Sequence, residues 1–467
     1  MPSNSILNNN LVCVQGLGFV GSAMATAVAS ATNIDGSPKY QVIGIDLQSE
    51  SGIRRVNSIN SGIFPFNTSD EKLVASLKKA HKNGNISAST SHKFYSKAGV
   101  IIVDIQLDIP YLNEEPQLDF KDFKSSIKTL GSYISPGTLV LIETTVPPGT
   151  CEKIVVPTLN KELEKRNINP ESVFIAHSYE RVMPGENYLD SITNYWRVFS
   201  GFTESSGDLC EIFLKSVINT ADFPLTRLAD TLSSETAKIL ENTYRAVNIA
   251  FIDEWTKYAE KLGVNLFEVL DAIRMRPSHS NIRYPGLGVG GYCLTKDPTF
   301  APAASNQLFD KQLEFPFSKM ATRINHDMPL HTIDRLKSLL QGSLKNKNIL
   351  VCGVSYRQDV DDTRYSPSET LVSEMIKKGA FISCHDPYVS YWDELDIPIT
   401  SEFLEASSFD AIVFAVPHKQ YHGLSINSWI EGANLILDAN GVFTSKQRKL
   451  IRSKGVRIES IGIGDGL

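Results

Sequence analysis

Short apolar runs separated by polar or glycine-rich breaks predict a strand, a turn, a helix and a second strand at the start of this chain. Leu11–Gln15 reads LVCVQ and ends at a turn with Gly16, Gly18 and Gly21, which leads into the helix-like AMATAVASA. A second run, QVIGI, closes on Asp46. A strand, a glycine turn and a helix in this order can hold a pyrophosphate at the helix N-terminus, so the segment predicts dinucleotide binding.

The acid that closes the second strand indicates which dinucleotide binds. Asp46 can accept hydrogen bonds from a ribose diol, whereas it would repel a 2′-phosphate. Its neighbours Leu47 and Gln48 offer no cation for such a phosphate. We therefore expect NAD rather than NADP, held by Gly16, Gly18, Phe19, Val20, Gly21 and Asp46.

Four further apolar runs alternate with helical stretches, which indicates a mostly parallel, doubly wound sheet. They are GVIIVDI (99–105), TLVLIETT (138–145), SVFIAHS (172–178) and WRVFSG (196–201). In such sheets ligands bind at the carboxyl ends of the strands. We expect Asp104, Thr144, Thr145 and the segment 177–181 to lie there.

A long helix and a second α/β region complete the predicted architecture. Ser233 to Leu262 reads as one helix that ends at Gly263 in a left-handed cap. From Lys347 onward strands and helices alternate again, with a capping-box pattern at 366–369 but a single glycine in the first turn. The fold class is therefore α/β, with two Rossmann-like doubly wound lobes joined by a central helical domain with one long helix. The expected domains are 1–205, 206–325 and 326–467.

Composition narrows the classes of partner. The 467 residues carry a net charge of −6 without long charge runs, which favours a small-molecule partner over nucleic acid or a membrane surface. Six cysteines lack paired spacing, and the polar start MPSNSILNNN lacks the apolar core of a secretory signal. We expect a reduced, cytoplasmic protein. The nine histidines form no metal-ligand pattern, so no metal is expected.

The loop GVGGYCLTKDP (288–298) presents the strongest candidate chemistry. It places Cys293 four residues before Asp297, among glycines that leave a thiol exposed. A free cysteine is more often a small buried hydrophobe, which is the structural alternative. Lys238 and Asn242 lie four residues apart and share one face of the long helix. They could be solvated surface groups, but apolar residues spread widely around this helix, which predicts that much of it is buried.

Six motifs in order resemble the UDP-glucose/GDP-mannose dehydrogenase family, the nucleotide-sugar 6-dehydrogenases. Besides the cysteine loop they are GLGFVG (16–21), TTVPPGT (144–150), ERVMPG (180–185), KILEN (238–242) and DVDDTRYSP (359–367). The resemblance spans nearly the whole chain. It implies a four-electron oxidation of a sugar's primary alcohol to a carboxylate with two NAD⁺, feeding polysaccharide biosynthesis.

The resemblance also implies a role for each matching residue. Cys293 would attack the aldehyde intermediate, with Lys238 and Asn242 as donors to the resulting oxyanion. Asp297 would work with Lys238 through a bound water, whereas Glu180 and Thr145 would serve hydrolysis of the thioester. A homodimer or higher homo-oligomer is expected, with the long helix as its contact.

The residues expected to bind substrate are less closely matched to the family pattern. They are Arg181, Lys238, Asn242, Arg276, Arg283, Gly290, Tyr356 and Arg357, whereas Thr145 and Arg364 are expected to contact the cofactor. Arg276 and Arg283 are candidates for the diphosphate, with the dimer partner as one source of these contacts.

The sugar itself is indicated by one position. Pro184 in ERVMPG favours the branch that acts on UDP-N-acetylhexosamines. The chain departs from that branch at His177, Ser178 and Tyr179, at Tyr292, and in the loop around Gln106. Three alternatives stay open: a UDP-glucose 6-dehydrogenase, a two-electron dehydrogenase of the 6-phosphogluconate or 3-hydroxyacid type, and an inactive nucleotide-sugar-binding protein.

Overall fold

The computed structural model describes residues 9–107, 109–112, 115–423 and 429–464. It divides into two compact units, the first formed by the chain up to Leu240 with Thr299–Glu314, and the second by Glu241–Pro298 with the chain from Phe315 onward. The predicted domain boundaries at 205/206 and 325/326 stay a prediction. The polar start, from which no secretory signal is expected, lies largely outside the described residues, as does Asp108 in the loop around Gln106.

An eight-stranded sheet with the order β10-β9-β8-β7-β4-β1-β2-β3 forms the centre of the first unit. The strands, with a small hairpin β5–β6, are β1 Leu11–Gln15, β2 Gln41–Ile45, β3 Ile86–Ser89, β4 Val100–Val103, β5 Tyr111–Leu112, β6 Glu115–Pro116, β7 Leu139–Ile142, β8 Phe174–Tyr179, β9 Val198–Gly201 and β10 Thr226–Arg227. Strands β4 and β7 are buried along their full length, as expected for parallel strands covered on both faces. The predicted doubly wound sheet is confirmed.

Two strands at one edge of this sheet, β9 and β10, run antiparallel to the other six, since β10 pairs parallel with β9. β9 pairs antiparallel with β8, with His177 opposite Ser200. The connection between β8 and β9 contains only the single-turn helix Asp190–Thr193. A parallel crossover is usually built around a full helix that packs across the sheet. Without such a helix, β9 lies beside β8 as an antiparallel neighbour.

The α-helices in the described part of the chain include the predicted long one. In chain order they are α1 Phe19–Ser30, α2 Glu50–Asn60, α3 Glu71–Asn83, α4 Lys121–Gly131, α5 Val156–Lys165, α6 Asp190–Thr193, α7 Glu204–Val217, α8 Thr231–Leu262, α9 Leu266–Arg274, α10 Phe300–Gln307, α11 Pro316–Leu339, α12 Pro367–Lys377, α13 Lys419–Gly423 and α14 Ser445–Ser453. Gly263 follows α8 with φ +71°, as predicted for its left-handed cap. The boundary between the two units falls within α8.

The second unit contains a five-stranded parallel sheet with the order β12-β11-β15-β16-β17. Its strands and a short hairpin β13–β14 are β11 Asn348–Cys352, β12 Phe381–His385, β13 Tyr391–Trp392, β14 Ile397–Pro398, β15 Ala411–Phe414, β16 Leu435–Asp438 and β17 Arg457–Ser460. Ser366 caps α12 as predicted, although its hydroxyl accepts the N–H of Ser368 rather than that of Glu369. The second Rossmann-like lobe is thus confirmed.

Candidate active site

The glycine turn of the first unit is built for close approach of an anion. Gly16 has φ +92°, and a side chain at Gly21 would collide with the carbonyl of Gly16. Gly18 is the N-cap of α1 and has no side chain to satisfy the first N–H groups of that helix. The turn therefore fits the pyrophosphate of a dinucleotide, which can accept hydrogen bonds from these N–H groups.

Asp46 at the end of β2 has a cationic partner that the local sequence does not reveal. Its buried carboxylate accepts the N–H of Leu47 at 2.7 Å, and it accepts Nε of Arg55 at 2.7 Å and Nη2 at 3.2 Å. Leu47 and Gln48 offer no cation, and the partner is instead Arg55, which helix α2 brings back to the strand end nine residues after Asp46. Only a search beyond the immediate neighbours of Asp46 could have found it.

The loop that carries Thr145 is anchored to the start of α8 by a buried carboxyl group. Glu235 accepts the N–H of Gly149 at 2.6 Å and the N–H of Cys151 at 2.8 Å. Burial raises the pKa of Glu235 from its ordinary value of 4.5 to about 7, although these hydrogen bonds oppose the rise. Thr145 is half-buried in the anchored loop.

Lys238 and Glu180 form a buried pair in the same unit. Nζ of Lys238 donates to the backbone carbonyl of Glu180 at 2.7 Å and lies 3.7 Å from its carboxylate oxygen Oε1. The ammonium also lies 5.3 Å from the ring centre of Tyr179. Burial and the charge of Lys238 lower the pKa of nearby His177 to about 3, so this imidazole is neutral at pH 7. The pair thus places a cation beside a carboxylate that can accept a proton.

The cysteine loop of the second unit is fixed by α11 and by the glycines that flank Cys293. Asn325 accepts the N–H of Val289 at 2.8 Å and donates Nδ2 to its carbonyl at 2.7 Å. Gly291 has φ +81°, and a Cβ there would lie 2.7 Å from the ring of Tyr356. Cys293 is exposed, whereas the other five cysteines are buried. The thiol is therefore presented to solvent, contrary to the packed alternative.

The carboxylate of Asp297 is fully buried beneath this loop and has two donors. Asn242 donates Nδ2 to one oxygen at 2.7 Å, and Lys296 donates Nζ to the other at 2.9 Å. The backbone N–H of Asp297 donates to the carbonyl of Cys293 at 2.9 Å. The ammonium of Lys296 also lies 4.3 Å from the ring centre of Tyr292. The sequence analysis did not identify Lys296 as a functional residue.

Four residues of the second unit that were expected near the substrate or the cofactor differ in how far they are buried. Gly290 closes on the start of α12, since a Cβ there would lie 2.8 Å from Pro367. Tyr356 is largely buried, which raises the pKa of its phenol to about 12. Arg357 is exposed, and Arg364 is exposed and held by Asp362 at 2.9 and 2.7 Å.

Arginines also gather around Arg283. Partial burial lowers its pKa, and the neighbouring guanidinium groups of Arg245 and Arg274 lower it further. Such a basic cluster suits an anionic ligand. Arg276 is exposed. In the first unit, Arg181 is half-buried and donates to the carbonyl of Trp196.

Comparison with known proteins follows the same order along the chain. Residues 10–215 match the NAD binding domain of the UDP-glucose/GDP-mannose dehydrogenase family, residues 232–327 its central domain, and residues 350–445 its UDP binding domain. A UDP-N-acetyl-D-mannosamine dehydrogenase of Methanocaldococcus jannaschii is 29% identical over 459 residues, which cover 97% of this chain and 96% of that protein.

Solved structures agree with these matches. The structure of a UDP-D-ManNAc dehydrogenase from Pyrococcus horikoshii superimposes with a TM-score of 0.81 at 27% identity, covering 97% of this chain and 99% of the other. That of an NDP-N-acetyl-D-galactosaminuronic acid dehydrogenase from Methanosarcina mazei gives 0.77 at 26% identity, with 98% and 97% covered. None of the helices in the described ranges has an apolar stretch long enough to cross a bilayer.

Replacing Glu235 by Gln should flatten the pH dependence of stability between pH 4.5 and 7. A carboxyl group whose pKa is about 7 when folded and about 4.5 when unfolded stabilises the fold fully below pH 4.5. That contribution, about 3 kcal/mol, is lost as the pH rises to 7. Urea unfolding at successive pH values measures it, with Glu254→Gln on the exposed side of α8 as the control. Equal slopes in the wild type and Glu235→Gln would contradict the assignment.

Proposed function

The chain belongs to the UDP-glucose/GDP-mannose dehydrogenase family, and from that premise we propose that it oxidises the primary alcohol of a UDP-N-acetylhexosamine to the uronic acid through a covalent intermediate on Cys293. The chain is an NAD-dependent nucleotide-sugar dehydrogenase. The observation that carries the covalent step is the exposed thiol of Cys293 on a loop fixed by the buried Asp297. NAD⁺, when bound at the glycine turn, accepts the hydride in each oxidation.

In the proposed reaction, one oxidation precedes and a second follows the formation of a covalent bond between Sγ of Cys293 and the substrate. Loss of a hydride and a proton from the alcohol gives an aldehyde, and Sγ of Cys293 adds to its carbonyl carbon to give a thiohemiacetal. Loss of a second hydride and the hydroxyl proton converts this adduct to a thioester. Water then attacks the thioester, which releases the carboxylate and returns the thiol.

The polar groups around these steps have separate tasks in the proposal. Lys238, a buried ammonium, stabilises the negative charge that develops on oxygen. Asn242 already donates one amide N–H to Asp297, and its second N–H can donate to the same oxygen. Glu180 accepts a proton from the water that attacks the thioester, beside the hydroxyl of Thr145.

The identity of the sugar rests on the relatives and on Pro184. Relatives named for UDP-N-acetyl-D-mannosamine are similar to this chain over nearly its full length. One similar structure is named for an N-acetylgalactosaminuronic acid instead. Both names support a 2-acetamido sugar, and the first supports the manno epimer.

A homodimer is part of the proposal, and α8 supplies its surface. Exposed apolar side chains recur on this helix at spacings of seven, four, three and four residues, which is the pattern of a helix–helix seam. They are Tyr244, Phe251, Trp255, Tyr258 and Leu262, each more than 40% exposed. An apolar stripe of this length favours burial against a second copy.

Replacing Cys293 by Ser should abolish turnover while leaving both ligands bound. The weaker nucleophile cannot form the thioester, so NADH formation should fall at least 100-fold. The wild type should form two NADH per UDP-sugar consumed, measured by absorbance against sugar consumption. Cys210→Ser, a buried cysteine of the first unit, is the control. One NADH per sugar in the wild type, or full activity of Cys293→Ser, would refute the covalent mechanism.

UDP-N-acetylmannosamine should be the best substrate in a panel that also contains UDP-GlcNAc, UDP-GalNAc and UDP-glucose. A pocket built to hydrogen-bond an acetamido group loses those bonds with glucose, so kcat/KM for UDP-glucose should be lower by a factor of 100 or more. Initial rates of NADH formation compare the four sugars. A preference for UDP-glucose would identify the chain as a UDP-glucose 6-dehydrogenase.

Replacing Trp255 by Arg should separate the dimer into monomers. A charged side chain in the centre of the apolar stripe is costly to bury. Light scattering coupled to gel filtration measures the mass, which should fall from about twice 51.7 kDa to 51.7 kDa. Ile34→Arg, on an exposed loop of the first unit, should remain dimeric. A monomeric wild type would contradict the proposal.

A further inference from the structure

A pair of carboxyl groups lies behind the glycine turn in the first unit, and the steps above do not use it. Asp104 follows β4 and Glu143 follows β7, two strands that pair directly. Glu143 is 1% exposed, and Oδ2 of Asp104 is shielded from solvent. Because Val103 of β4 pairs with Ile142 of β7, the two residues that follow them lie side by side at the ends of these strands. Two ionised carboxyl groups so close together would repel each other, which favours a proton on one of them.

The balance of buried charge leads to the same conclusion. Arg197, which is 2% exposed, forms an ion pair with Glu143 and supplies one positive charge for the two carboxyl groups. Oδ2 of Asp104 and Oε2 of Glu143 meet no N–H or O–H donor within the described part of the chain. One ionised and one protonated carboxyl group beside one guanidinium leave no unpaired buried charge.

Burial is the main reason why the proton lies on Asp104. It raises the pKa of this carboxyl group well above its ordinary range, and the charges of Glu143 and Glu180 raise it further. Burial raises the pKa of Glu143 as well, but its ion pair with Arg197 opposes that rise. The proton of the pair is therefore assigned to Asp104.

Asp104 also lies against the turn that fits a pyrophosphate. A Cβ at Gly21 would lie 3.2 Å from Cβ of Asp104, and one at Gly16 would collide with its carbonyl oxygen. Helix α1 contributes no titratable side chain, since residues 19–30 read FVGSAMATAVAS. The charged groups that act on Asp104 are thus Glu143, Glu180 and Arg197.

We propose that a proton held by the adjacent carboxyl groups of Asp104 and Glu143 keeps a negative charge away from the phosphate-binding turn, so that NAD binding weakens when the pair loses this proton. A second carboxylate at this place would repel the two negative charges of the pyrophosphate. Conversely, the bound dinucleotide holds the proton more tightly. Binding is therefore full while the pair is protonated, weakens as the pH rises through its titration, and takes up a proton in that range.

A titration of the protein with NADH, followed by nucleotide fluorescence from pH 6 to pH 10, tests this proposal. The Kd of the wild type should rise on the order of tenfold across the titration of the pair. Asp104→Asn has nearly the same shape but cannot ionise, so its Kd should not follow that rise. Asp35→Asn, on an exposed loop, is the matched control and should follow the wild type. A flat wild-type profile, or the wild-type slope in Asp104→Asn, would overturn the proposal.

A second measurement needs only the wild type and so does not depend on the folding of a variant. Calorimetric titration with NADH in two buffers of different ionisation enthalpy counts the protons taken up on binding. Uptake should be near zero at pH 6 and should reach a substantial fraction of one proton where the Kd rises. No uptake at any pH up to 10 would overturn the proposal, and this result would leave the role of Cys293 untouched.

Discussion

The buried carboxylate of Asp297 is the constraint on which the cysteine loop depends. Removing a carboxylate from water costs several kcal/mol unless donors replace the lost solvent. Here the donors are Asn242 on α8 and Lys296 within the loop. Satisfying one charge therefore fixes the loop to the helix, and the hydrogen bond from Asp297 to the carbonyl of Cys293 closes the turn. The thiol is left on the exposed side of that turn.

In the first unit, buried polar side chains at the start of α8 hold neighbouring loops in the same way. Glu235 draws the backbone of the Thr145 loop onto the helix, and Lys238 is satisfied by the carbonyl and carboxylate of Glu180. The side chains proposed for chemistry are thus positioned by buried polar partners rather than by apolar packing alone. Such partners allow little movement, because an unsatisfied buried charge is more costly than a lost surface contact.

Local patterns in the sequence were sufficient to predict those strands and helices that end at a glycine or an acidic residue. β1 and β2 match the predicted runs residue for residue, since each apolar run ends at a glycine turn or an acid, and Gly263 ends α8 as expected. β3 reads ISAS and β17 reads RIES, and neither was predicted, because three of the four residues in each are polar or small. Tertiary pairing makes them strands.

For the candidate site, too, only the residues that belong to local motifs could be predicted. Motifs identified the exposed Cys293 and the buried Asp297 and Lys238, because glycine spacing and helical periodicity are local properties. They did not identify Arg55 or Asn325, whose partners are distant in sequence and meet them only in the folded chain. The ion pair of Arg55 with Asp46 and the hydrogen bonds of Asn325 to the cysteine loop depend on how the chain folds back on itself. A short sequence motif does not contain this information.

The covalent role of Cys293 is most directly tested by the mass of the intact protein during turnover. In the Glu180→Gln variant, hydrolysis of the thioester should be slow, so incubation with NAD⁺ and the UDP-sugar should add the mass of the UDP-uronyl group, located on Cys293 by peptide mapping. Product formation in the wild type, with no adduct on Cys293 of the variant under any condition of substrate excess, would contradict the account.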